Sequence, residues 1–276
     1  MTSPAGAGGP GAGAAERPRR RAVWICLAVA TALAMVEPMA VWAGGRTMRQ
    51  TSHRTTPYRH AIKEVRLDLG DAEASVGPGP AGEASVQQRL TWAVGKPVVE
   101  QALVGDVLRV RFRCRNKSTL YGAFECGANI DLQVPPDARV TAVTSSGQLT
   151  VRGITGDLDL RTSSGKITLA DTRGALRARA RSGTIKGTGL AAPTTKAEVS
   201  SGDVDLRYTT PPDQVEAAAD SGQVKVIVPR GSRFNVLSRN GSGSSHINDA
   251  VVDQRSAQTI SVRSNSGSTH VDYDDD

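Results

Sequence analysis

The residues of this chain whose types and spacing could do chemistry are few. His246 and His270 each stand on a short predicted strand after Gly243 and Gly267, one residue before the aliphatic Ile247 and Val271. Alternation points both outward, where a histidine pair can hold a metal or move protons. The plainer reading is two exposed polar positions at the end of the chain. His53 and His60, the other histidines, fall in or beside a polar linker. Asp157/Asp159 and Asp203/Asp205 flank Leu158 and Val204, so each pair sets two carboxylates outward, as two-carboxylate glycoside chemistry requires. The two pairs belong to different half-units of a repeat, however, and are expected on different faces. The sequence contains no Gly-x-Ser-x-Gly elbow, no Ser-x-x-Lys nucleophile set completed by Ser-Asp-Asn and Lys-Thr-Gly, no phosphate-binding Gly-x-x-x-x-Gly-Lys loop and no His-Glu-x-x-His helix. No catalytic residue, cofactor or metal is therefore expected, and the chain is not expected to be an enzyme.

Two cysteines carry a more specific signal. In the segment Val107–Cys114 the apolar face is Leu108, Val110, Phe112 and Cys114; in Cys126–Val134 it is Cys126, Ala128, Ile130, Leu132 and Val134. Both thiols fall on the inward face of their own strand, separated by an eleven-residue connection. A Cys114–Cys126 disulfide stapling neighbouring strands is the expectation in an oxidising compartment. A free thiol pair and two metal ligands are the alternatives, the second disfavoured by the absence of a nearby histidine. Cys26 lies inside an apolar span and reads as a small hydrophobe.

The elements that position these residues announce themselves by repetition. Ser-Gly recurs with its glycine at Gly147, Gly165, Gly183, Gly202, Gly222, Gly243 and Gly267, at intervals of 18, 18, 19, 20, 21 and 24 residues. Two residues after the first five come Leu149, Ile167, Ile185, Val204 and Val224; later units loosen, with Ile247 and Val271 four residues on. A second apolar cluster sits mid-unit, as in Leu158/Leu160, Leu176/Ala178, Val215/Ala217, Phe234/Val236 and Ile260/Val262. One such unit cannot bury its own apolar face, whereas stacked units share a core. Because the same residue classes return once per two strands, a parallel β-solenoid is expected over an antiparallel meander. Glycine at the corners supplies positive φ or close backbone approach. Lys186, Asp205 and Lys225, three residues after their glycines, would then stack as a plus/minus/plus ladder about 4.8 Å apart.

Around the repeats the chain divides as follows. Residues 1–21 form a Gly/Ala-rich tail with a basic end, expected to be disordered and cytoplasmic. Residues 22–43 are an apolar span broken by Glu37-Pro38, expected to be a transmembrane signal anchor; a cleaved signal ending near Val41-Trp42-Ala43 is the alternative. A linker follows at 44–57, then a β module at 58–140 with short antiparallel strands, the repeats at 141–273 and an acidic tail at 274–276. That tail lacks the ligand spacing of a calcium loop and is expected to guard an edge. Localisation is accordingly expected at the cell membrane, single-pass, with the N-terminus inside and the body outside. The formal charge is +7, three of which come from Arg17, Arg19, Arg20 and Arg21 offset by Glu16. Aromatic residues make up only 4% of the chain, and no Lys/Arg cluster interleaves with them, which argues against nucleic-acid binding.

Ser-Gly-x-aliphatic-x-aliphatic repeats after one N-terminal span resemble the candidate adhesins of bacterial surfaces, β-strand-repeat proteins common in actinobacteria whose domain is of unknown function. The resemblance covers residues 60–273. It implies a cell-envelope location and a right-handed, β-helix-like solenoid, and brings no catalytic residue or ligand with it. Function is thus expected to be that of a non-catalytic surface module contacting an envelope polymer or a membrane protein. A single-span envelope sensor acting with a membrane partner is the alternative, and a glycan-active enzyme the third.

Overall fold

The structure, a computed structural model, describes residues 23–34, 50–93, 95–114 and 126–274. The body is all β. Its strands are β1 (Gln50–Tyr58), β2 (Glu64–Asp68), β3 (Glu73–Pro78), β4 (Ala84–Trp92), β5 (Val98–Val104), β6 (Val107–Arg113), β7 (Cys126–Val134), β8 (Arg139–Thr144), β9 (Leu149–Arg152) and β10 (Leu158–Thr162). They continue as β11 (Lys166–Ala170), β12 (Leu176–Ser182), β13 (Thr184–Leu190), β14 (Thr194–Ser201), β15 (Val204–Tyr208), β16 (Gln214–Ser221), β17 (Val224–Val228), β18 (Asn235–Ser242), β19 (Ser245–Ile247), β20 (Thr259–Ser266) and β21 (Thr269–Tyr273). Two sheets result. Sheet A runs β1-β4-β7-β3-β9-β11-β13-β15-β17-β21-β19, and sheet B runs β18-β20-β16-β14-β12-β10-β8-β2-β6-β5.

Each coil contributes one strand to each sheet, and coil pairs with coil in parallel. Leu149, Ile167, Ile185, Val204, Val224 and Thr269 stand in one register column of sheet A. Val140, Leu158, Leu176, Thr195, Val215 and Ile260 form the facing column of sheet B. All of them are buried. Alternation alone explains this: every second residue of a strand points to the same side, so one inward side chain per coil per column, aliphatic in all but Thr195 and Thr269, builds a continuous core.

The corner glycines form a column of their own. A Cβ on Gly165 would run into the Gly147 carbonyl, and the same holds for Gly183 on Gly165, Gly202 on Gly183 and Gly222 on Gly202. At Gly202 and Gly222 φ is also positive, at 130° and 137°, where side chains are strained. Serial order then breaks. Gly267 abuts Gly222, and Gly243 abuts Gly267. The last coil in sequence, β20/β21, is thus inserted between β16/β17 and β18/β19. The first end shows the same device, with β2/β3 lying between the later coils β6/β7 and β8/β9.

The strands before residue 140 therefore belong to the same stack as the repeats. Antiparallel pairing, expected through that segment, is confined to β1–β4, β4–β7 and β5–β6. Both ends of the core close on polar groups. The Tyr58 hydroxyl donates to Gln101 Oε1 at 2.8 Å, and Gln101 Nε2 donates to Gln88 Oε1 at 3.3 Å. At the opposite end the hydroxyls of Ser238, Ser245 and Thr269 lie 3.0–3.2 Å from one another. A stack must stop somewhere, and side chains that bond to each other stop it without orphaned donors. Asp274 continues β21, an interior strand, with its amide on the Val228 carbonyl; Asp275 and Asp276 of the expected acidic tail lie outside the described residues.

The single-pass placement is corrected. Residues 23–34 are helical, a length of about 18 Å against the roughly 30 Å of a bilayer core. No helix among the described residues is long and apolar enough to cross a membrane, which overturns the transmembrane anchor at 22–43 and the membrane localisation built on it. The expected tail at 1–21, Glu37-Pro38, Trp42 and the first part of the linker lie outside the described residues.

Candidate functional surface

The outer face of sheet B carries the strongest chemistry on the body. Outward positions of parallel strands repeat in register, so charges stack in rows across the coils. One row reads Arg66, Thr141, Asp159, Arg177, Lys196, Glu216. The next reads Arg111, Asp68, Val143, Arg161, Arg179, Glu198. β12 alone sets Arg177, Arg179 and Arg181 outward in alternation with Leu176, Ala178 and Ala180.

Most of these charges neutralise a neighbour. Arg179 Nε donates to Glu198 Oε2 at 2.7 Å; Lys196 Nζ reaches Glu198 at 3.0 Å and Glu216 at 2.8 Å. Burial pushes the Glu198 carboxyl up, but the hydrogen bonds from Lys196 and Arg179 outweigh it and hold the group below its ordinary range. The hydrogen bond from Arg66 likewise holds Glu64 down. Arg139 pairs with Asp157 at 3.0 Å, and Arg161 with Asp159 Oδ2 at 3.0 Å. A groove of about 480 Å³ runs over the starts of β2, β8, β10, β12, β14 and β16. Its lining alternates sign: Arg139, Arg177 and Lys196 face Glu64, Asp157, Asp159 and Glu216. Ala175 and Thr194 keep part of it low, and no aromatic residue lines it.

Sequence reasoning located Asp157 and Asp159 as outward but missed the arginines beside them and the groove. The rows depend on which coil lies beside which, and degenerate spacing does not give that register.

The other singled-out residues are placed as follows. Asp157 and Asp159 lie on sheet B and Asp203 and Asp205 on sheet A, so the two acid pairs occupy opposite sheets. Asp203 Oδ1 accepts from the Gln223 amide at 2.9 Å, and Asp205 lies 3.7 Å from Arg207. Lys186, Asp205 and Lys225 are consecutive in register on sheet A, and the row continues to His270 and His246. The two imidazoles stack, centroids 4.9 Å apart with 14° between planes. His270 Nε2 lies 3.7 Å from Asp272 Oδ2, and Asn248 Nδ2 donates to Asp272 Oδ1 at 2.7 Å. That hydrogen bond, more than the nearby imidazoles, holds the Asp272 carboxyl below its ordinary value. Among the described residues no cluster of three or more His, Cys, Asp or Glu fits a metal ion. His60 lies 3.9 Å from Asp106, and His53 Nδ1 accepts from Arg89 Nε at 3.5 Å.

Cys114 and Cys126 form a disulfide. Cys114 directly follows β6 of sheet B and Cys126 opens β7 of sheet A, so the expected bond joins successive strands and crosses from one sheet to the other.

Comparison with known proteins supplies the family. No curated protein matches. The chain is similar to the solved structure of a candidate adhesin from Bacteroides fragilis, with 11% identity and a TM-score of 0.51 over 81% of this chain and 97% of that one. It is also similar to a candidate cell-adhesion protein from Clostridium sporogenes, at 10% identity and a TM-score of 0.38 over 82% and 100%. A candidate lipid-binding protein from Parabacteroides distasonis gives 11% and 0.42 over 81% and 97%. At these identities the likeness concerns the fold alone, and only the first superposes closely enough to support it. The family model described as Toastrack DUF4097 matches residues 128–275, more than half of the chain, spanning the corner glycines and the β12 arginines. The chain belongs to the Toastrack DUF4097 family.

Proposed function

We propose that this chain is a non-catalytic interaction module of the bacterial surface, and that the outer face of sheet B is its contact surface. The observation that supports this reading is the grooved, arginine-rich face repeated across the coils. A solenoid with an aliphatic interior offers its outer faces to partners, and regular spacing suits a partner that is itself extended. The family resemblance to candidate adhesins points the same way. Carboxylates are present on that face, but they serve arginines and lysines rather than each other. The test is retention of cell-envelope material by the immobilised full chain, with retained polymers and proteins identified by mass spectrometry. Selective retention that is lost on unfolding the chain supports the reading. Failure to retain any component, or turnover of an envelope glycan, overturns it.

A further inference from the structure

Arg177 stands unpaired between two paired register neighbours. In register it lies between Asp159 and Lys196, where a partner is to be expected. Asp159 instead gives Oδ2 to Arg161, and the acids on the other side, Glu198 and Glu216, are held by Lys196 and Arg179. Arg177 is exposed and has no hydrogen-bond or ion-pair partner among the described residues. Arg177 lines the groove of about 480 Å³ together with the carboxylates of Glu64, Asp157, Asp159 and Glu216. The groove therefore sets an unpaired guanidinium among hydrogen-bond acceptors, and a carboxylate can accept from more than one donor.

The occupant must be anionic at one point and rich in donors beside it. A densely charged polyanion fits poorly, because Glu64, Asp157 and Glu216 line the same groove. A peptide needs an apolar pocket for an anchoring side chain, and the polar lining does not supply one. A sugar acid meets both demands. Its carboxylate matches the fork of an arginine, and its hydroxyls are short, neutral donors. We infer that the groove binds a carboxylate-bearing sugar unit of an acidic polysaccharide, with the carboxylate on Arg177 and its hydroxyls donating to the carboxylates that line the groove. This rests on the reading of sheet B as the contact surface and names the chemistry of the partner.

The experiment is calorimetric titration of the full chain with an oligogalacturonate, its carboxyl-reduced counterpart, dextran sulfate and a glutamate-rich peptide. Saturable binding of the oligogalacturonate above the other three is expected. Arg177→Gln, exposed and unpartnered, should weaken that binding about tenfold, the scale of one charge-assisted hydrogen-bond pair, with unchanged thermal unfolding. Lys225→Gln, on sheet A, should leave it unaltered. Equal binding of the reduced oligomer, tighter binding of dextran sulfate or peptide, no binding of the oligogalacturonate, or indifference to Arg177→Gln each overturns the inference. If envelope material is retained equally by the Arg177→Gln chain, the sugar-acid site is wrong and the contact reading stands. If the unsubstituted chain retains nothing, the contact reading itself fails.

Discussion

Gly267 backs onto the carbonyl of Gly222, although Gly243 lies between them in the sequence. Its φ of 148° is positive as well, so the position combines backbone strain with a missing volume. Gly267→Ala should therefore destabilise by roughly 2–4 kcal/mol, from strain and from collision with a neighbouring coil. Gly82 is the control. Its φ is 75°, but a Cβ there meets open space, so Gly82→Ala should cost only about 1 kcal/mol. Urea unfolding of both variants makes the comparison, and equal losses would remove close packing from the explanation.

That contact also marks where the sequence stops being legible. The repeats, the corner glycines and the columns from Leu149 to Val224 are written in period and alternation. The exchange of the last two coils is not, because Gly243 and Gly267 carry the same local signature. What looked like loosening was a substitution: Ile247 and Val271 share a register row with Val226, four residues after the corner in all three coils. The preceding inward position has become Ser245 and Thr269, whose hydroxyls close the core. On the candidate surface, Asp157 and Asp159 were legible as outward. That Arg177 is left without a partner depends on which strand each neighbour serves, and only the assembled sheet decides that.

Tyr208 is entirely buried, and burial pushes its phenol well above the ordinary value. The hydroxyls of Tyr208 and Thr195 approach each other, yet neither completes a hydrogen bond. Replacing both by apolar groups of similar shape removes two unsatisfied polar atoms. The double variant Tyr208→Phe/Thr195→Val should be at least as stable as the unsubstituted chain, by roughly 0–2 kcal/mol. A loss of more than about 2 kcal/mol in thermal unfolding would mean that the hydroxyls are satisfied after all.

The Cys114–Cys126 bond closes a connection of 12 residues in separation and ties sheet B to sheet A. Reduction should lower stability by about 2–4 kcal/mol, mainly by freeing the unfolded chain. The paired variant Cys114→Ser/Cys126→Ser should show the same loss and no further response to reductant. A denaturation midpoint indifferent to reductant in the unsubstituted chain would contradict this.

Asp272 connects the end of β21 to the loop after β19 through Asn248, and its carboxyl is held below the ordinary value of 3.8. The folded chain thus binds this proton less tightly than the unfolded one. The associated stability is present above the ordinary value and is lost as pH falls through the depressed one. Asp272→Ala should lower the melting temperature at pH 7, and the two proteins should converge as pH falls below the ordinary value of 3.8 and through the depressed one. Parallel melting curves across the whole range would exclude the carboxylate as the cause.

The inserted coil makes its own forecast about motion. In a stack threaded in simple order, the C-terminal strand lies at the edge and frays first. Here β21 is flanked on one side by β17 and on the other by β19, a three-residue strand at the rim of sheet A. Local opening draws on whatever is least packed, and that is β19 rather than the chain end. Amides of Val271 and Tyr273 should therefore exchange with solvent more slowly than those of Ser245 and Ile247. Peptide-resolved hydrogen exchange reads this directly, and faster exchange at Thr269–Tyr273 would rule out the insertion. The same geometry predicts that cutting the chain before Thr259 exposes β16 and β17 together and leaves β18 and β19 without the coil that seats them. Loss of those eighteen residues should thus release two coils rather than one, visible as new proteolytic cleavage within Asn235–Ile247.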